Sequence, residues 1–388
     1  MALREAPTLR PTRIEMEDFA VYVASLPADV AAAGLCKVVP PADWPGPRGR
    51  APPETTVLLA PSVQHVEGSG GVYRVINEQR HRLTFGRFER RESAAATREL
   101  GRAYLQDSAM AGLEQRFWRD LASARPPMCA VDQEGSLFQS AGDLPGRAWN
   151  LRALPDLLRE DPRADSAQAA SVTGSSLSYG AWRTMSSLQL EDSDLYAIHY
   201  LHVGAPKRWF GAPARVAGLV EMIAATLFPE DFASCKQFLR HQCHMLSPEV
   251  LMANGVPLAS LTQREGEFVV TLPRAYHCNF SFGLNIVEKA NFALPPWLIY
   301  GVDASRCTCG ARRDAAHVDA APFMGGWGAE GGSSSAVSAT PVNSSELGDS
   351  SGTAAVILEA VAVAPHSPPV RRQGSRVRQP VQKYDDGG

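Results

Sequence analysis

The chain has 388 residues, 45% of them hydrophobic and 20% charged, enough for one large domain or two modest ones. Its formal net charge of -3 excludes a globally basic nucleic-acid binder, so any contact of that kind must be a local patch. No early apolar run reads as a signal peptide, and no stretch is long enough to span a bilayer. The seven cysteines are odd in number and cluster late, which fits reduced thiols plus a metal site and a reducing compartment, cytosol or nucleus.

In chain order, apolar residues at helical spacing with acids in the first turn predict an amphipathic helix over 14–26. A proline-rich stretch from Pro40 to Pro53 reads as an ordered connection over the surface. Strands are expected over 57–66 and 72–76, a helix over 93–120 ending at Phe117-Trp118, and another helix from Trp149 to Glu160. Short β-rich runs follow at 194–203, 207–212, 267–273 and 284–293. Many short strands around a few helices predict a mixed α+β fold with a jelly-roll, cupin-like core. From about Gly310 the composition turns to Gly, Ser, Ala and Thr, and disorder is the expectation for 311–388. That tail holds one apolar run, AAVILEAVAVA, and a basic cluster of Arg371, Arg372, Arg376, Arg378 and Lys383, either a nuclear-import or nucleic-acid patch or a solvated charge run. Trp118, Trp149, Trp182, Trp209 and Trp297 are expected to fill core space, and Cys243 and Cys278 to act as small buried hydrophobes.

Two clusters carry chemistry. A mononuclear oxygenase iron needs two imidazoles and a carboxylate on one face. Gln189-Leu190-Glu191, with His277 far downstream, is a damaged copy of that H-x-D/E…H pattern: the carboxylate and distal imidazole are present, and the first imidazole is a neutral amide. Separately, Cys235, His241, Cys307 and Cys309 offer three thiolates and one imidazole, a closed set suited to Zn²⁺ or, on spacing alone, ordinary buried thiols.

From roughly Thr8 to Gly310 the chain resembles the JmjN–JmjC histone lysine demethylases, closest to those acting on di- and trimethylated lysines of the histone H3 tail. PTRIEMEDFAVYV and AGLCKVVPPADW carry the JmjN likeness. WNLRAL, EDSDLYAIHYLHVGAPKRWF, CKQFLRH, GEFVVTLPRAYHCNFSFGLN and NFALPPW carry the JmjC likeness. The resemblance implies a JmjN domain over 8–50, a mixed linker over 51–145 and a JmjC double-stranded β-helix with its zinc site over 146–310. Reader domains of longer members are not visible.

It further implies an Fe(II)- and 2-oxoglutarate-dependent demethylase in which Gln189, Glu191 and His277 stand at the iron ligands. Cys235, His241, Cys307 and Cys309 would hold structural zinc. At the 2-oxoglutarate site Lys207 and Asn291 are kept, a tyrosine has become Phe138, a stacking aromatic Ser186 and an asparagine His199. At the methyl-lysine pocket Ser178 and Ser171 replace a tyrosine and a glycine, and Lys289 replaces a small serine, putting like charge against a substrate ammonium. Lys289 is therefore expected to fold inward and pair with Glu191. The functional expectation is a catalytically impaired, nuclear, demethylase-like protein, with the histone H3 tail or chromatin as partner, no membrane role and no sequence-specific DNA reading. The alternative is an active enzyme with atypical metal ligation, His199 supplying the missing imidazole; a relic without selected activity is a third reading.

Overall fold

The computed structural model describes residues 2–47, 49–101, 109–138, 147–161, 165–310 and 317–324. Its core is a pair of facing sheets. One has five strands, in the order Arg4–Glu5, Ala259–Gln263, Lys207–Gly211, His277–Ser281 and Met185–Gln189. The other has ten, and its centre runs Ser176–Gly180, Asn285–Phe292, Tyr196–Gly204, Phe268–Thr271, Leu35–Val38. Successive strands change sheet: Tyr196–Gly204 lies in the larger and Lys207–Gly211 in the smaller, and His277–Ser281 and Asn285–Phe292 repeat the exchange. That alternation winds the chain into the expected double-stranded β-helix, with one face of each sheet turned to a shared interior.

The strand Tyr196–Gly204 is buried on both faces for most of its length, which is why its sequence is almost continuously apolar. Tyr196, Ile198 and Tyr200 join an outer core with Trp149, Phe268, Phe292 and Trp297. His199, on the opposite face, reaches the other sheet, its ring 4.7 Å from that of Trp209.

The N-terminal segment extends both sheets. Arg4–Glu5 pairs in parallel with Ala259 and Ser260, and Leu35–Val38 pairs antiparallel with Phe268–Thr271. Gly34 makes this docking feasible: it ends the helix Ala28–Ala33 at φ 80°, and a Cβ there would stand 2.6 Å from the Ala212 carbonyl oxygen.

Several expected elements are broken where a local capping residue wins over periodicity. The helix expected over 14–26 is a short turn, Glu15–Glu17, and a helix, Phe19–Ala24, divided by Asp18, whose side chain accepts from the Val21 N–H at 3.0 Å. The helix expected over 93–120 starts earlier, as Phe85–Leu100, stops at Gly101 (φ 83°), and is followed by a separate helix, Met110–Asp120. In the span from Trp149 to Glu160 only Leu157–Glu160 is α-helical, started by the Asp156 side chain after Pro155. The strand expected over 57–66 is interrupted at Ala60 (φ 47°) and Pro61.

Trp44, within the proline-rich connection, is buried and packs edge-on against Tyr200 and Phe268, so that segment is anchored rather than merely superficial. Of the five tryptophans expected inside, Trp149, Trp182, Trp209 and Trp297 are buried and Trp118 is partly so. Cys278 is buried as expected, whereas Cys243 is only partly buried. Within the stretch expected to be disordered, residues 317–324 pack: Val318, Ala320 and Phe323 are buried in the outer core, and the Val318 N–H donates to Ser193 Oγ at 2.8 Å. Three apolar residues in a Gly/Ser-rich tail are invisible to composition but sufficient to fill a groove. The apolar run and basic cluster further along lie outside the described residues. Among the described residues, no helix is long and apolar enough to cross a membrane.

Candidate iron position and metal-ligand quartet

Gln189 ends the strand Met185–Gln189 and sits opposite His277 in the antiparallel ladder, so strand pairing brings two of the expected site residues together. Glu191 follows, at the mouth of a tight turn in which Ser193 (φ 51°) and Asp194 (φ 53°) are both left-handed. Such a turn is costly for residues with side chains and must be held from outside. The fully buried Asp194 carboxylate accepts from Arg240 and, at 3.0 Å, from Arg274. A second Arg240 N–H donates to the Glu191 carbonyl at 2.8 Å, and the Trp297 indole N–H donates to the Ser193 carbonyl at 2.8 Å. This clamp was not recognised in the sequence, although Arg240 stands beside His241 in CKQFLRH.

The Glu191 carboxylate is buried and already engaged. Lys289 Nζ lies 2.5 Å from Oε2, the inward pairing expected from the sequence. His277 Nε2 stands 3.1 Å from Oε1 without the alignment of a hydrogen bond. Its Nδ1 donates to the Ala275 carbonyl at 3.0 Å, which fixes the orientation of the ring. Burial works to raise the Glu191 pKa, but the Lys289 ammonium and then His277 outweigh it and hold the carboxyl far below the usual carboxylate range. Burial works against the Lys289 charge, and Glu191 reverses that, keeping its pKa above the ordinary lysine value.

His199 is directly across the ladder from Lys289, buried, with Nε2 lacking a hydrogen-bond partner. Desolvation first and the Lys289 charge second push its pKa well below the usual imidazole value, so the ring is neutral. Lys207 pairs with Gln263 and Ser281 through its strand and has no carboxylate within salt-bridge distance among the described residues. Burial lowers its pKa from 10.5 to about 8. Asn291 is opposite Ala197 in the same ladder, and its Oδ1 is buried without a partner. Phe138 belongs elsewhere: it packs on Tyr200 and His202, at 5.4 and 5.2 Å, on the face of that strand opposite His199. Its loop is pinned by Glu288, which accepts from Ser136 Oγ at 2.5 Å and the Leu137 N–H at 3.0 Å.

The second cluster is whole. Cys235, His241, Cys307 and Cys309 place their ligand atoms within 4.8 Å of one another, and no other group of three or more His, Cys, Asp or Glu does so among the described residues. His241 Nε2 is 3.2 Å from Cys307 Sγ and 3.3 Å from Cys309 Sγ. Cys235 caps the helix Pro229–Ser234, so a metal ion held here would tie that helix to the segment after Leu298–Gly301. Three thiols and one imidazole converging, with Cys309 on the exposed side, match the donor set of a structural zinc.

Comparison with known proteins places these features. A jmjN domain model matches residues 7–40, and a model described as JmjC domain, hydroxylase, matches 176–292. The chain is 35% identical over 314 residues to a probable lysine-specific demethylase 4F of Homo sapiens, covering 81% of this chain and 48% of that protein. It is 34% identical over 315 residues to lysine-specific demethylase 4D of Rattus norvegicus, 80% of this chain and 59% of the relative. It is also 34% identical over 318 residues to lysine-specific demethylase 4B of Mus musculus, of which it spans only 28%. With both domain models matched in order and about a third of residues identical over four-fifths of its length, the chain carries the JmjN and JmjC domains and is similar to lysine-specific demethylases, spanning about half the length of the first of these relatives.

Proposed function

We propose that this protein is a demethylase-like chromatin scaffold that keeps the family's fold and a structural zinc but does not assemble the iron centre. The observation carrying this reading is the Lys289 ammonium 2.5 Å from Glu191. A carboxylate that binds Fe(II) must offer its oxygens to a dication, and here a fixed monocation already occupies one of them. Gln189 compounds the defect, because an amide is a far weaker donor to Fe(II) than imidazole. Losses at residues that merely support a metal ligand already cost roughly 10–100-fold in affinity, so a lost ligand costs at least that. The residues present therefore do not fit Fe(II). Co-substrate binding is weakened independently, since Phe138 lacks a hydroxyl and packs on the face of the strand Tyr196–Gly204 opposite His199. On this reading Lys207, Asn291 and His199 are remnants of a 2-oxoglutarate pocket. The lysine-demethylase relatives support a nuclear protein with the histone H3 tail or chromatin as partner.

The test is metal analysis of the intact protein, then titration with Fe(II) and 2-oxoglutarate and mass spectrometry of a trimethylated H3 peptide. One zinc, no iron and no mass loss is the expected result; iron-dependent formaldehyde release abolished by Glu191→Gln would overturn it. A histone-peptide pull-down separates a scaffold from a relic. The alternative, an active oxygenase with atypical ligation, draws on the unpartnered Nε2 atoms of His199 and His277. It requires His199, His277 and Glu191 to converge more tightly than they do here, since they do not meet the 4.8 Å spacing of the quartet.

A further inference from the structure

We propose that an arginine-lined hollow between the strand Val72–Gln79 and the helix Phe85–Leu100 docks the phosphate backbone of duplex DNA. The hollow, of about 570 Å³, is lined by Arg80, His81, Arg82, Arg87 and Arg91, with Leu83 and Met128 as its only apolar members and no carboxylate in its wall. Arg80 is satisfied by Glu78 at 2.6 Å. Arg91 reaches Glu92 through Nε at 3.2 Å, while one of its terminal nitrogens has only the Met128 thioether, at 3.8 Å. Arg82 and Arg87 are exposed and have no carboxylate within 4.0 Å among the described residues. Arg87 and Arg91 stand one helical turn apart and so face the same way.

A neighbouring hollow shows what structural arginines look like in this fold. Arg98, Arg116, Arg125 and Arg183 line it together with Glu99 and Asp120. There Glu99 takes Arg183 at 2.8 Å and Arg116 at 3.3 Å, and Glu92 takes Arg125 at 3.1 Å. Three of those four charges, on Arg116, Arg125 and Arg183, are matched internally; those of Arg98, Arg82 and Arg87 are not, among the described residues. Guanidinium forks match phosphate oxygens in geometry and charge. A protein partner would call for several aromatic or aliphatic anchors, and single-stranded nucleic acid for aromatic stacking platforms; this wall has no Phe, Tyr or Trp and only Leu83 and Met128 as apolar members. Backbone contacts carry no sequence information, in keeping with a chain whose net charge is negative and whose basic character is local.

The experiment is fluorescence anisotropy of a labelled 20-base-pair duplex with the intact chain across a potassium chloride series. Comparison of variants decides it, because the basic cluster from Arg371 to Lys383 could bind DNA by itself. Arg82→Ala with Arg87→Ala should weaken binding at least ten-fold at low salt. It should also reduce the slope of log K against log salt by about 1.8, two released counterions at roughly 0.9 each. Arg82→Lys with Arg87→Lys should keep the slope, and Arg10→Ala with Arg215→Ala, exposed and outside the hollow, should change neither quantity. The proposal is overturned if the alanine pair, with an unaltered melting curve, binds with wild-type affinity and slope, or if the intact chain does not bind the duplex. Binding of a deca-glutamate peptide through the same two arginines in place of DNA would overturn it equally.

Discussion

The quartet and the candidate iron position both draw on residues distant in sequence, and they differ in what stands beside their charged groups. At the quartet four donors converge with no cation among them, so an ion is the natural way to satisfy three thiols and an imidazole. At the iron position one carboxylate faces one imidazole, and the charge that a metal would bring is supplied by Lys289. A buried carboxylate needs a counter-charge to remain ionised, but that charge need not be a metal. The two regions are also mechanically joined. Arg240, adjacent to His241, clamps the turn that carries Glu191, so the quartet's segment holds the altered site in shape.

The largest expected effect separates the two clusters directly. Zinc chelation, or Cys307→Ser, should destabilise the fold by at least about 4 kcal/mol, seen as a lowered melting temperature, whereas iron chelation should change nothing. If chelators leave the melting curve unmoved, the quartet is no metal site and the contrast fails.

Lys289→Ala comes next. It leaves the Glu191 charge buried with only His277 near it and should cost about 2–4 kcal/mol in denaturant titration, somewhat less than a fully buried pair because a quarter of the Lys289 side chain is exposed. The Glu191 pKa is depressed, so its contribution is complete above the ordinary carboxylate range and lost only in strong acid. The Lys289 pKa is raised, so its contribution is lost only above the ordinary lysine range. The penalty should therefore be flat between about pH 5 and pH 9. Adding Glu191→Gln to Lys289→Met should recover most of it.

A sharper test rebuilds the iron position. Gln189→His with Lys289→Ser should raise Fe(II) affinity roughly 10–100-fold in anaerobic titration, and Gln189→His alone should gain much less because the ammonium remains. Equal gains from the single and double variants would show that Lys289 does not block the metal.

The smallest effect concerns Lys207, an ammonium buried without a carboxylate. Lys207→Met should stabilise the protein near neutral pH by about 1–2 kcal/mol. With the folded pKa lowered to about 8 from an ordinary 10.5, the cost of the charge is full below pH 8 and fades as pH rises toward 10.5. The difference between wild type and variant should close over that range.

Much of this was legible in residue order. The β-rich runs at 194–203, 207–212, 267–273 and 284–293 became strands with nearly those bounds, because each carries β-branched or aromatic residues that pack on at least one buried face. Strands such as Met185–Gln189 and His277–Ser281 escaped notice, since their interiors carry Ser, Gln, His and Asn that only the site explains. Helix limits failed at Asp18, Gly101 and Asp156, where a capping residue overrides apolar spacing. Lys289 was legible as a threat to a cationic substrate and hence as a partner for Glu191. The clamp of Arg240 and Arg274 on Asp194 was not, since nothing in DSD announces two left-handed residues in need of support.

Sequence by itself carried the JmjN–JmjC likeness, the two-sheet core and the reading of Gln189 as an amide at a ligand position, because side-chain chemistry and strand periodicity are local and survive in residue order. Tertiary structure alone decided which charges meet. The fold sets Lys289 beside Glu191, gathers the four quartet ligands, turns Phe138 away from His199 and leaves Arg82 and Arg87 unmatched. Electrostatic pairing acts over a few ångströms of space, and separation along the chain says nothing about it.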